Sequence, residues 1–199
     1  MRGTTETAPA SSAILTVPNA LSFARIAAIP LFSWLITRPD TRLTGIVLFA
    51  IVVGTDWVDG YVARRMGQVS ELGRILDPVA DRLAIAAGLV TFSIVGIFPF
   101  WAALLVLLRD VVVLLGGAAL LWGRSLRVDV RGIGKVATFS LMAAITWIAW
   151  GNAGGPLGDV LLAGGWLAYA VGIVEYYIAT GLYAIDVRDA LAARGVLEE

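Results

Sequence analysis

The sequence predicts an all-α integral membrane protein with six transmembrane helices and a short N-terminal interfacial segment. Hydrophobic residues make up 59% of its 199 residues, more than the apolar share of an ordinary soluble domain. Mean hydropathy is +0.85. Several apolar runs reach the roughly 20 residues that a helix needs to cross a hydrocarbon core. Between these runs the charges gather in short segments.

Residues 1–12 are rich in Thr, Ala, Ser and Pro without periodicity and read as a disordered tail. They lack the charged start and apolar run of a signal peptide. A membrane domain is expected over 13–185 and a charged tail over 186–199, the chain beyond Tyr183 reading as an interfacial helix end. The first helix covers Ala20–Ile36, starting near Asn19 after Pro18, with Pro30 as a kink position. Arg38 to Arg42 is a loop. A second helix runs from Gly45 and carries an acidic pair at its far end. Ser70 and Glu71 open a third, which continues to Val95 and contains Pro78, where one backbone hydrogen bond is lost. Gly96 to Pro99 is a tight turn. The fourth helix spans Phe100–Trp122, the fifth Gly134–Trp150 and the sixth Val160–Leu182, with Asn152 to Gly158 as a glycine-rich turn.

The charge pattern orients these spans. With the N-terminus inside, the inner segments hold Arg2, Arg25, Arg64, Arg65, Arg74, Arg124, Arg127, Arg131, Lys135, Arg188 and Arg194. The outer loops hold Arg38 and Arg42. Basic residues favour the cytoplasmic side, so both termini and the acidic stretch are expected there, in the cytoplasmic membrane. The net charge is zero, which argues against nucleic acid as a partner. The chain has no Cys and no His. Thiol chemistry, Ser-His triads and His-liganded zinc are therefore excluded, and any metal must rest on oxygen ligands, which favours Mg²⁺, Mn²⁺ or Ca²⁺.

The chemistry concentrates between Thr55 and Arg82. Asp56 and Asp59 form one carboxylate pair, Asp77 and Asp81 another. Residues three or four apart share a helix face, and the polar link Arg65–Ser70 makes the two helices antiparallel neighbours, so all four carboxylates can converge. Ionisable residues near membrane depth are a functional signal by default. Four such carboxylates repel unless cations neutralise them, and two divalent ions form a clamp suited to phosphoryl chemistry. Gly60, a turn after Asp56, and Gly73, a turn before Asp77, open space on the same faces. Ala63 continues the narrow row, and Arg64 is placed to meet a phosphate or base edge.

The pattern Asp-x₂-Asp-Gly-x₂-Ala-Arg-x₈-Gly-x₃-Asp-x₃-Asp matches the signature of the CDP-alcohol phosphatidyltransferase family at Asp56, Asp59, Gly60, Ala63, Arg64, Gly73, Asp77 and Asp81. At ordinary residue frequencies eight such positions coincide by chance on the order of once in 10¹⁰ starts. The resemblance extends to the Pro18-Asn19 helix start with Arg25 and to Gly134-Lys135 opening the fifth helix. It implies transfer of a phosphatidyl group from CDP-diacylglycerol to an alcohol acceptor, with release of CMP, at the cytoplasmic membrane face. Asp56, Asp59, Asp77 and Asp81 would hold Mg²⁺ or Mn²⁺, two ions in all, and Asp81 would also be the general base. Gly60, Ala63, Arg64 and Gly73 would line the CDP site. A homodimer in the lipid bilayer is a further implication. With no His or Cys to carry an intermediate, direct attack is expected.

The segments VPNALSFARIAAIP, LGRILDPVADRL and GKVATF look most like enzymes of the phosphatidylglycerol branch, with glycerol 3-phosphate or phosphatidylglycerol as acceptor. The run Leu76 to Leu83 leans toward the cardiolipin-making type of actinobacteria. Inositol phosphate is an alternative acceptor. Arg25, Arg109, Arg127, Arg131 and Lys135 are the cations available to a phosphorylated acceptor.

Several residues also have plainer readings. Arg64 and Lys135 suit membrane-anchoring cations, Arg82 either pairs with a motif carboxylate or snorkels, and Arg109-Asp110 reads as an ion pair with the third helix. Glu175 reads as a structural Glu. Gly116-Gly117 and Gly164-Gly165 allow close helix packing. A cation transporter would also place carboxylates in the membrane but has no need of Gly60, Ala63, Arg64 and Gly73 at these offsets. An intramembrane prenyltransferase would separate its two acidic motifs by far more than the stretch seen here.

Overall fold

The computed structural model describes residues 17–55, 71–122 and 132–195, with side chains chiefly over 20–55, 79–115 and 138–182. Among these residues the regular structure is all helical: α1 (Val17–Thr37), α2 (Arg42–Gly54), α3 (Glu71–Val95), α4 (Phe100–Trp122), α5 (Gly132–Asn152) and α6 (Gly158–Gly195). A single 3-10 turn, Pro39–Thr41, joins α1 to α2. Two segments of the described residues are long and apolar enough to cross a membrane, Ala20–Thr37 in α1 and Gly158–Leu182 in α6. The tail at 1–12 and the segment after it lie outside the described residues. The chain divides into two compact units, Met1–Thr91 and Phe92–Glu199.

In the first unit α1 and α2 pack closely because Gly45 has no side chain. A Cβ there would lie 2.8 Å from the Ile36 backbone nitrogen and 2.9 Å from Leu35 Cβ. A helix C-terminus leaves its last carbonyls without partners. Here Thr41 Oγ1 donates to Leu35 O at 2.9 Å, and Arg42 Nε donates to Ile36 O at 3.1 Å. A cation at that end also suits the helix dipole. Phe32, Ile36, Ile46 and Phe49 are fully buried, and the Phe32 and Phe49 rings meet edge to face at 5.5 Å. α3 joins them at Gly88, where a Cβ would fall on the Phe49 ring. Thr91 Oγ1 donates to Ala87 O at 2.7 Å and lies 3.2 Å from Ser33 Oγ.

The second unit opens with a turn that ends α3. Gly96 adopts φ +80, a left-handed conformation that glycine takes without steric cost. The Ile97 N–H then reaches back to Phe92 O at 3.0 Å, closing a Schellman-type cap. The same device ends α5: Gly154 has φ +76, and the Gly155 N–H donates to Trp150 O at 3.1 Å.

α5 and α6 form the tightest pair of this unit, along a glycine seam. Gly158, Gly165 and Gly172 are spaced at heptad intervals on α6, nearly two turns apart and so on one face. A Cβ on Gly165 would lie 3.0 Å from the Ile148 backbone nitrogen and 3.2 Å from Ala144 O. One on Gly172 would lie 3.1 Å from Leu141 Cγ, and one on Gly151 would lie 2.6 Å from Gly158 O. Gly164 is off this face, with Trp147 no nearer than 3.9 Å. The expected close packing at Gly164-Gly165 is therefore real for Gly165 and absent for Gly164. Gly116-Gly117 lie outside the described side chains.

α4 is patterned inside out. Ala102, Ala103, Val106, Arg109 and Asp110 are buried, while Leu104, Leu108, Val111, Val112 and Leu115 are exposed. The helix turns its charges inward and its aliphatic residues outward. α6 departs from the expected Val160–Leu182, running to Gly195 over 38 residues. At 1.5 Å per residue that is about 57 Å, roughly twice a hydrocarbon core of about 30 Å. Past Tyr183 the chain is rich in Ala, with neither Pro nor Gly before Gly195, so nothing local stops the helix.

Candidate functional site

The acidic stretch is approached from both sides by described structure. α2 brings the chain to Thr55, whose N–H and hydroxyl each reach Ile51 O at 2.9 Å. Asp56, Asp59, Gly60, Ala63 and Arg64 lie outside the described residues; α2 itself ends at Gly54 with Thr55 as its C-cap, short of the first acidic pair that the second helix was expected to carry. α3 starts at Glu71, as the Ser70-Glu71 signal predicts, and runs through Pro78. It carries positions 73, 77 and 81 at four-residue intervals, which places them along one helix face. The side chains at 73 and 77 are outside the described set.

Asp81 is the motif carboxylate whose surroundings are described. Its Oδ1 forms an ion pair with the Arg25 guanidinium of α1, the two side chains being 23% and 5% exposed. Among the described residues no hydrogen bond of regular geometry reaches that oxygen. Arg25 also lines a cavity of about 140 Å³ with Leu21, Ala24, Ile51, Val52 and Thr55. This cavity reaches from the Arg25 side of α1 to the residue that precedes Asp56.

The donor chemistry fits a divalent metal in kind. Every carboxylate of the motif offers hard oxygen ligands, which suit Mg²⁺ or Mn²⁺. Among the described residues no three metal-ligating side chains cluster, Asp81 being the one motif carboxylate whose side chain is among them.

A second polar cluster lies between α4 and α6, within the second unit. Arg109 Nε donates to Thr180 Oγ1 at 2.6 Å, and its guanidinium lies 3.7 Å from the Tyr176 ring centroid. Arg109 Nη1 is 3.3 Å from Asp110 Oδ1, and the Tyr176 hydroxyl donates to the same oxygen. All but Thr180 are buried. Two partners of the Arg109-Asp110 pair thus come from α6; the expected pairing with the third helix is not tested by these contacts. Tyr176 and Thr180 were not singled out from the sequence, although their i, i+4 spacing puts two hydroxyls on one face of α6. Arg127 and Arg131 lie outside the described residues. Lys135 falls in the first turn of α5 without a described side chain, and Glu175 is partly buried beside Tyr176.

A family model described as CDP-alcohol phosphatidyltransferase matches residues 15–175. The chain is 36% identical over 193 residues to a cardiolipin synthase (CMP-forming) of Streptomyces coelicolor, covering 94% of this chain and 90% of that protein. It is 31% identical over 147 residues to a CDP-diacylglycerol–glycerol-3-phosphate 3-phosphatidyltransferase of Bacillus subtilis, covering 67% of this chain and 76% of that protein. The equally named protein of Rickettsia bellii is 31% identical over 169 residues, covering 81% and 91%. The matched residues include all four motif carboxylates and Arg25.

Proposed function

The chain belongs to the CDP-alcohol phosphatidyltransferase family, and on that premise we propose that it transfers a phosphatidyl group from CDP-diacylglycerol to phosphatidylglycerol, forming cardiolipin and releasing CMP. The observation that carries this choice of acceptor is the similarity to a CMP-forming cardiolipin synthase over 94% of the chain. Glycerol 3-phosphate is the second reading, supported by the shorter match to the Bacillus subtilis enzyme.

In this reading the acceptor hydroxyl oxygen bonds to the phosphorus next to diacylglycerol. Asp81 takes the hydroxyl proton, the bond from that phosphorus to CMP breaks, and CMP leaves with the electron pair. Asp56, Asp59, Asp77 and Asp81 would hold two Mg²⁺ or Mn²⁺ ions, which supply positive charge to the pyrophosphate and the leaving group. Gly60, Ala63, Arg64 and Gly73 would bind the CDP moiety. Arg109 is not assigned to the acceptor, because its guanidinium is already engaged by Thr180, Tyr176 and Asp110.

The same proposal places six spans in the cytoplasmic membrane, with both termini and the acidic motif on the cytoplasmic side. α3, α4 and α5, with 25, 23 and 21 residues, have the length of a span at 1.5 Å per residue. The outward aliphatic face of α4 suits contact with lipid, and its buried charges follow the pattern of polar residues inside a membrane bundle.

An acceptor screen tests the reaction. Purified protein in detergent receives CDP-diacylglycerol and Mn²⁺ or Mg²⁺, and CMP and product lipid are followed with each acceptor. CMP release with phosphatidylglycerol that stops in EDTA is the expected result. Release with glycerol 3-phosphate alone would move the enzyme to the second reading, and release with neither would refute the phosphatidylglycerol-branch assignment.

A further inference from the structure

Arg25 entered as a cation for a phosphorylated acceptor, yet its described neighbour is a carboxylate of the catalytic motif. The residue is 6% exposed. A guanidinium stays protonated even when buried, and a buried charge requires a counter-ion. Asp81 is that partner. Arg25 also lines a cavity with Thr55, the residue before Asp56. A fixed positive charge thus stands against Asp81 and on the wall of the cavity that Thr55 also lines.

This arrangement has a consequence for ion binding. An ion that takes Asp81 as a ligand must share that carboxylate with Arg25 and is repelled by the guanidinium. A carboxylate shared with a fixed cation holds a divalent ion less tightly than the same carboxylate without it. We propose that Arg25 is a resident counter-cation of the acidic site, one that pairs with Asp81 and sets how weakly the site binds its divalent ion. This rests on the reading of Asp81 as one of the ion's carboxylates.

The test is Mn²⁺ binding to the full-length protein in detergent, without lipid substrate, read from the paramagnetic resonance signal of free Mn²⁺. Arg25→Gln is expected to bind Mn²⁺ about fivefold more tightly than the wild type, or better, because a unit repulsion at close range is removed. Arg25→Lys keeps the charge and should stay within about twofold of the wild type. If Arg25 acts at Asp81, the gain from Arg25→Gln should shrink to about twofold or less in an Asp81→Asn background. Equal or weaker binding by Arg25→Gln overturns the proposal, as does a gain that persists without Asp81. Absence of Mn²⁺ binding in every variant overturns it together with the metal reading.

Should Arg25→Gln not fold because Asp81 is left without its partner, Mn²⁺ during purification supplies the missing countercharge. Recovery of a monodisperse protein in Mn²⁺ but not in EDTA then supports the proposal, and no recovery overturns it. CMP release by the wild type judges the reaction separately. Arg25-dependent Mn²⁺ binding without CMP release keeps this inference and refutes the proposed transfer, whereas CMP release with Arg25-independent Mn²⁺ binding does the reverse.

Discussion

The guanidinium carbon of Arg109 on α4 stands over the ring of Tyr176 on α6, 3.7 Å from its centroid, while the hydroxyl of the same tyrosine donates to Asp110. One side chain thus serves both members of a buried ion pair, the cation on its face and the anion at its tip. Thr180, one turn further on, takes the Arg109 Nε–H. Such a pair costs stability if any member is left without partners, which makes the tyrosine a sensitive position.

Tyr176→Phe keeps the ring over Arg109 and removes the hydrogen bond to Asp110. Hydrogen bonds to charged groups contribute about 1.5–3 kcal/mol, and a loss of that size is expected in thermal or denaturant unfolding in detergent. Tyr176→Leu also removes the cation–π contact and should lose about 1 kcal/mol more. An unchanged midpoint in Tyr176→Phe would show that this hydroxyl is not the support of Asp110.

The glycine seam predicts opposite signs at adjacent positions. Gly165→Ala forces a Cβ against the Ile148 backbone and Ala144 O, and overpacking against backbone costs about 1–3 kcal/mol. Gly164→Ala meets Trp147 at an ordinary 3.9 Å and should gain up to about 1 kcal/mol of helix propensity. Paired melting curves of the two variants decide it, the first shifting down and the second up.

Gly88 and Phe49 allow a rescue experiment. A Cβ at Gly88 would overlap the Phe49 ring, so Gly88→Ala is expected to lower stability by about 1–3 kcal/mol. Adding Phe49→Leu opens the space, and the double variant should lose less than the sum of the singles. Strict additivity would mean that the two residues are not coupled.

The carboxylates should separate chemistry from stability. Asp56→Asn is expected to abolish CMP release while the unfolding midpoint holds or rises, because one of four mutually repelling charges is removed. Asp81→Asn should abolish release and also destabilise, because its ion pair with Arg25 is lost. Breaking a fully buried pair costs about 3–5 kcal/mol; with Asp81 23% exposed, a loss of about 2 kcal/mol is expected. CMP assays and melting curves on the same preparations read both effects, and turnover in either variant would remove that aspartate from the proposed chemistry.

The sequence by itself determined the helical class, the family and most helix limits. α3 ends at Val95 and α4 starts at Phe100, because those limits are set by local terms: a glycine able to adopt positive φ and a proline that halts hydrogen bonding. The motif was legible for a similar reason, since its spacing lies within one short stretch from Asp56 to Asp81. The sixth span was expected to end at Leu182 with an interfacial helix end beyond Tyr183, and α6 does continue as helix to Gly195, because hydropathy marks where a helix leaves the apolar phase, whereas helix propensity decides where it stops. Only the tertiary structure decided the partners. Arg25 meets Asp81, Arg109 meets Thr180 across 71 residues of chain, and Gly165 rather than Gly164 carries the α5–α6 contact. Buried charges and missing side chains take their meaning from whatever packs against them, and that neighbour is chosen by the folding of distant helices, not by any adjacent residue.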